Sequence, residues 1–140
     1  MKKILKISFL LVFLFTIKIY SQNSINEAEV KLTLTKLFDF SKNRNYKQAA
    51  NFLAYTGKDK NRIERTSFNF SEKSEIKAVK RKCKNIKAYL ELSDSYEYGK
   101  FTRNGNKAVL NVIFKSGDQE LKIAFSFVKI GNKILLIDFQ

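Results

Sequence analysis

Histidine, proline and tryptophan are absent from this sequence, and cysteine occurs once, as Cys83. Without histidine, and with one thiol, the chain lacks the ligand set of a tetrahedral zinc site or a copper site. It also cannot assemble a Ser-His-Asp or Cys-His nucleophile system. A lone cysteine excludes an intrachain disulfide, although an exported domain normally uses cysteines in pairs. Stability must therefore come from packing, which the 13 phenylalanines and the Ile and Leu content supply. The five glycines stand apart from one another, so no glycine-rich phosphate loop is present. No cofactor and no metal is expected, and no repeat, proline-rich linker or low-complexity block divides the chain.

Residues 1–21 have the organisation of a cleavable secretory signal. Lys2, Lys3 and Lys6 form a charged start, Ile7 to Ile17 is apolar except for Ser8 and Thr16, and Ser21 offers a small residue at the cut. A membrane anchor is the competing reading. Eleven helical residues reach ~16 Å, against a hydrocarbon core of ~30 Å, so cleavage between Ser21 and Gln22 is expected, with no stable membrane span afterwards. No cysteine follows the apolar run, which excludes a lipidated-cysteine anchor. Localisation is accordingly expected to be exported, periplasmic or secreted.

Residues 22–140 then form one domain, long enough for a single real core. The leader takes four lysines with it, so 23 of the 27 basic residues remain against all 13 acids. That basicity has two readings: a surface for anionic partners, or a compositional bias in which Lys, Asn, Ile and Phe are abundant together. Nucleic acid is disfavoured as a partner because an exported protein rarely meets it.

Periodicity predicts an α+β domain. Ser24-Ile25-Asn26-Glu27 has the form of a capping box, and Val30, Leu34, Leu37, Phe38 and Ser41 follow at helical spacing. After a break at Asn43 to Asn45, Asn45 can cap a short helix lined by Tyr46, Ala49, Ala50 and Leu53, with Gly57 at its end. Residues 58–69 are expected to be a loop with a short strand near Ser67 to Phe70. From Ser71, with Glu72 and Glu75 favouring the helix start, a third helix runs to about Leu90. Ile76, Val79, Cys83, Ile86 and Leu90 form its core stripe. Lys73, Lys77, Lys80, Lys84 and Lys87 repeat the same way on another side.

Beyond Leu92 the period becomes two, and four strands are expected, turning at Asn104-Gly105, Ser116-Gly117-Asp118 and Gly131-Asn132. Tyr96 and Tyr98 fall on one face of the first strand, with Glu97 and Phe101 on the other. Gly99 inside that strand suggests a bulge or bend. The last strand, Lys133 to Phe139, is nearly continuous apolar and is expected to be covered on both faces.

Leu37 to Ala54, with an apolar helix, a polar turn and then Tyr46-Lys47-Gln48-Ala49-Ala50, resembles the opening of the nuclear transport factor 2-like superfamily, and the meander from Tyr96 to Gln140 fits the same fold. The resemblance implies N-terminal helices packed in a curved antiparallel four-stranded meander, a cone that could hold a cavity. Enzymes of that superfamily generally place an Asp, His or Tyr inside the cone; Asp138 with Tyr55, Tyr89, Tyr96 or Tyr98 would be the stand-ins here.

Three functions follow. The leading one is an exported non-catalytic binding module that holds a small apolar ligand or docks an envelope protein. Tyr89, Tyr96, Tyr98 and Asp138 are its candidate pocket, and a homodimer through the sheet is a further partner. The second is an anionic-surface binder, for lipid or glycan, acting through Lys73, Lys77, Lys80, Lys84 and Lys87; the bland reading of that stripe, a solvated helix face, is preferred. The third is a small metal-free enzyme using a buried Asp138 and a Tyr as acid–base pair.

Overall fold

A computed structural model describes residues 24–140; the expected leader, residues 1–21, lies outside them. Helices α1 (Glu27–Lys42), α2 (Tyr46–Ala50) and α3 (Lys73–Glu91) precede strands β1 (Ser95–Asn104), β2 (Lys107–Ser116), β3 (Gln119–Ile130) and β4 (Lys133–Phe139). The strands form one antiparallel sheet in the order β1-β2-β3-β4, a meander of three hairpins. Gly105, Gly117 and Gly131 take left-handed φ angles at those hairpins, where a side chain would be strained. Among the described residues no helix is long and apolar enough to cross a membrane.

Helix α1 starts two residues later than the Ser24 capping pattern predicts. Asn26 is the N-cap, and its Oδ1 accepts the Glu29 N–H at 2.8 Å. Asn is as good a cap as Ser, and Glu29 holds the third helical position in place of Glu27. The buried face of α1 carries Val30, Leu34, Leu37 and Phe38, against α3 and the sheet. Full burial of a leucine such as Leu34 stabilises by roughly 1.5–3 kcal/mol.

Helix α2 ends at Ala50, short of the expected Gly57. The chain is diverted there by the free edge of β4: Leu136 donates to the Phe52 carbonyl and Ala54 donates to the Leu136 carbonyl, both at 2.8 Å. Tyr55 and Phe68 then pair with Thr66 and Leu53, which puts the expected short strand at Ser67, opposite Ala54. Gly57 serves a close approach instead, since a methyl there would overlap the Tyr55 ring. The segment 52–54 thus covers the β4 edge, which would otherwise offer unpaired backbone groups.

The bulge expected at Gly99 is present and changes the faces of β1. Register shifts between Tyr98 and Phe101, so that Tyr98 pairs with Val112 and Phe101 with Leu110. Tyr96, Tyr98 and Phe101 therefore all point to the helix side, which corrects the placement of Phe101 opposite the tyrosines. The main core lies on that side, with Leu110, Val112, Phe114, Phe125, Phe127 and Leu136 meeting the helices. A smaller cluster of Ala54, Val128 and Leu135 lies on the other, so the first half of β4 is covered on both faces as expected.

Candidate functional site

Helix α3 separates its charge from its core sharply. Val79, Cys83 and Ile86 are fully buried, whereas Lys73, Lys77, Lys80 and Lys84 are exposed. Seven cations lie along it (Lys73, Lys77, Lys80, Arg81, Lys82, Lys84, Lys87) against two acids, Glu75 and Glu91. Glu91 pairs with Lys87 at 3.3 Å. Glu75 faces inward and is already engaged by Arg62, at 2.7 Å. Lys82 is drawn to the sheet, where its ammonium donates to the Ile137 carbonyl at 2.9 Å. Among the described residues, Lys73, Lys77, Lys80, Arg81 and Lys84 have no carboxylate partner. The structure therefore brings the five predicted lysines onto one face, with Arg81 beside them.

The far end of this face meets the turn between α1 and α2. Lys80 lies over the Tyr46 ring, 5.8 Å from its centroid. Arg44, Tyr46, Lys84, Lys87 and Glu91 line a cleft of about 370 Å³. Arg44 holds a left-handed φ of 58°, a conformation in which Gly or Asn costs least, and asparagines flank it on both sides. Sequence periodicity offers no signal for Arg44 because it is not helical, and Arg81, four residues after Lys77, flanks a lysine stripe whose steps alternate four and three.

The tyrosines and Asp138 are not brought together into an acid–base site. Asp138 is exposed, at 72 % for its side chain, and Lys82 is 3.4 Å from its carboxylate. An extra residue in β4 causes this: the register shifts between Ser126 and Phe127, so that Phe139 pairs with Phe125 while Asp138 pairs with Ser126. The buried Asp138 required by the enzymatic reading is thereby corrected to a solvated one. The rings stay on the helix side, where Tyr96 meets Phe38 edge-on at 5.1 Å and Tyr98 at 5.8 Å, and Tyr89 lies 5.6 Å from Phe114. Burial pushes the Tyr96 phenol up, and the Tyr98 phenol beside it adds to the effect. Tyr98 shares a 2.8 Å hydrogen bond with the Thr35 hydroxyl and has Lys31 over its ring at 5.4 Å. Tyr55 stands apart, with the Phe68 ring tilted against it at 5.5 Å and the Arg62 guanidinium 4.1 Å from its centroid.

Half-buried Arg62 and buried Glu75 form an anchor that the sequence did not single out. Both guanidinium terminal nitrogens donate to the two Glu75 oxygens, at 2.7 and 3.1 Å, and the Asn69 N–H donates to the same carboxylate. These donors hold the Glu75 carboxyl below its ordinary range, Arg62 contributing most, while burial opposes the shift. The anchor ties the loop after Tyr55 to the first turn of α3 and so fixes where the basic face begins.

Cys83 is a free, fully buried thiol. Burial pushes its thiol up, with the nearby Ser41 hydroxyl pulling weakly the other way. No group of three or more His, Cys, Asp or Glu that could hold a metal occurs among the described residues. No family model matches the chain, and no curated protein matches it.

Proposed function

We propose that this protein is an exported, non-enzymatic binding module that adsorbs to a surface of anionic lipid headgroups through the basic face of α3. The observation that carries the reading is the row from Lys73 to Lys87, in which five cations, Lys73, Lys77, Lys80, Arg81 and Lys84, have no carboxylate partner among the described residues. The row is ~21 Å long at ~1.5 Å per residue, straight enough to lie on a plane. Six of the seven α3 cations are lysines, strongly hydrated point charges suited to diffuse attraction, whereas bidentate recognition of a single group favours arginine. Each Lys or Arg near an anionic membrane contributes ~1 kcal/mol, so the five unpaired cations give a weak, reversible attachment of ~5 kcal/mol.

Surface recognition is favoured over an interior site because the Phe38, Tyr96, Phe114 and Phe125 rings meet one another between α1 and the sheet. Export rests on the charged, apolar and small-residue order of residues 1–21. A nuclear transport factor 2-like cone is the fold reading, supported by three helices preceding a four-stranded antiparallel meander that packs on them. Sedimentation with vesicles tests the function. The protein should pellet with phosphatidylglycerol-containing vesicles at low salt and stay free with pure phosphatidylcholine. Equal binding to both, binding to neither, or retention by sulfated glycan alone would each overturn it.

A further inference from the structure

A second recognition site lies away from the basic face, in a cleft of about 410 Å³ between α1, the end of α2 and the β3–β4 turn. That size is within the ~300–1,000 Å³ usual for small-molecule sites. Its apolar wall is Leu32, Phe52 and Ile134, drawn from three separate elements. Leu32 is 58 % exposed, a large apolar side chain on the otherwise polar side of α1. Phe52 is rigidly held: Phe40 backs its ring at 5.6 Å, and its carbonyl accepts the Leu136 N–H.

The polar wall carries positive charge. Lys36 lies over the Phe52 ring at 5.6 Å, and Lys133 enters from the turn. Neither has a carboxylate partner among the described residues. Glu29, at the margin, is neutralised within the protein by Lys129 at 3.2 Å. Asn51 and Asn132 also border the cleft, residues whose side-chain amides carry further donors.

Apolar wall, two free ammonium groups and amide donors together fit one class of ligand. We infer that the cleft binds a small amphiphilic carboxylate, its acid group between Lys36 and Lys133 and its hydrocarbon body against Leu32, Phe52 and Ile134. The inference is independent of adsorption through α3, because the cleft shares no residue with that face.

Octanoate, below its micellar range, is the probe, with octanol as the neutral analogue of the same chain. In an amide NMR titration, octanoate should give saturable shifts at Leu32, Phe52 and Ile134. Octanol should bind roughly tenfold more weakly, the scale of one charge-assisted hydrogen bond. Lys36→Gln with Lys133→Gln should remove the preference for the acid, and Leu32→Ser, at an exposed position that does not threaten folding, should weaken both ligands. Equal affinity for octanoate and octanol would overturn the anionic recognition. Shifts confined to α3, or none that saturate, would overturn the site itself.

Discussion

Glu75 shows how one buried carboxylate can organise a loop. It accepts from Arg62 and from the Asn69 N–H, and its folded carboxyl is held below the ordinary carboxylate range chiefly by Arg62. A depressed carboxyl stabilises the fold above its ordinary value, and that contribution disappears as pH falls through the depressed one. Glu75→Gln should therefore lower the unfolding midpoint at neutral pH and flatten the acid limb of the stability profile, read by circular dichroism between neutral pH and strong acid. A parallel, undiminished acid limb in the variant would show that other carboxylates govern it. Cys83 is the opposite kind of residue, a neutral thiol inside apolar packing. Its thiolate is disfavoured, so native protein should resist thiol reagents and react only after unfolding. Rapid native labelling would contradict the packing described for α1 against α3. The stripe of Ile76, Val79 and Ile86 made Cys83 legible in the sequence as core. The Arg62–Glu75 anchor was not legible, because its partners lie in an irregular loop and a helix start, where no period links them.

Among the elements, α3 carries the clearest pattern and the clearest conflict. Lys73, Lys77, Lys80, Lys84 and Lys87 occupy an arc of about 80° on a helix turning ~100° per residue, and like charges four residues apart cost a few tenths of a kcal/mol per pair. Lys80→Gln with Lys84→Gln should hold or slightly raise the thermal midpoint, measured by calorimetry. A clear loss of stability would mean that the Lys80 contact with Tyr46 outweighs the repulsion. The strands follow their local signals equally well: the three glycine turns and the β4 bounds are as periodicity predicts. Misreadings arose where tertiary contacts override local signals. The β4 edge captures residues 52–54 and ends α2 early. Bulges in β1 and β4 move Phe101 inward and leave Asp138 in solvent, and a single-residue insertion reverses the faces of a strand.

At the scale of the whole molecule, aromatic and aliphatic side chains fill the space between helices and sheet while positive charge is left outside. On the sheet side three cations are held in ion pairs: Lys107 meets Glu64, Lys115 lies within 3.5 Å of both Glu97 and Glu120, and Lys129 is tied to Glu29. On the exposed side of α3 the stripe has one such pair, Lys87 with Glu91, and Lys73, Lys77, Lys80 and Lys84 have none. An asymmetric field of this kind attracts an acidic surface from one side and orients the domain upon it. Screening shortens to ~8 Å near physiological ionic strength, so the attraction must be salt-sensitive. The decisive measurement is adsorption to phosphatidylglycerol-containing vesicles across a salt series, for the parent protein and for the Lys80→Gln, Lys84→Gln variant. Two lysines at ~1 kcal/mol each predict a roughly 30-fold loss of affinity in the variant at low salt, with the parent also releasing as salt rises. Parent adsorption that is weak and indifferent to both salt and the two substitutions would contradict the account and return the stripe to a merely solvated helix face.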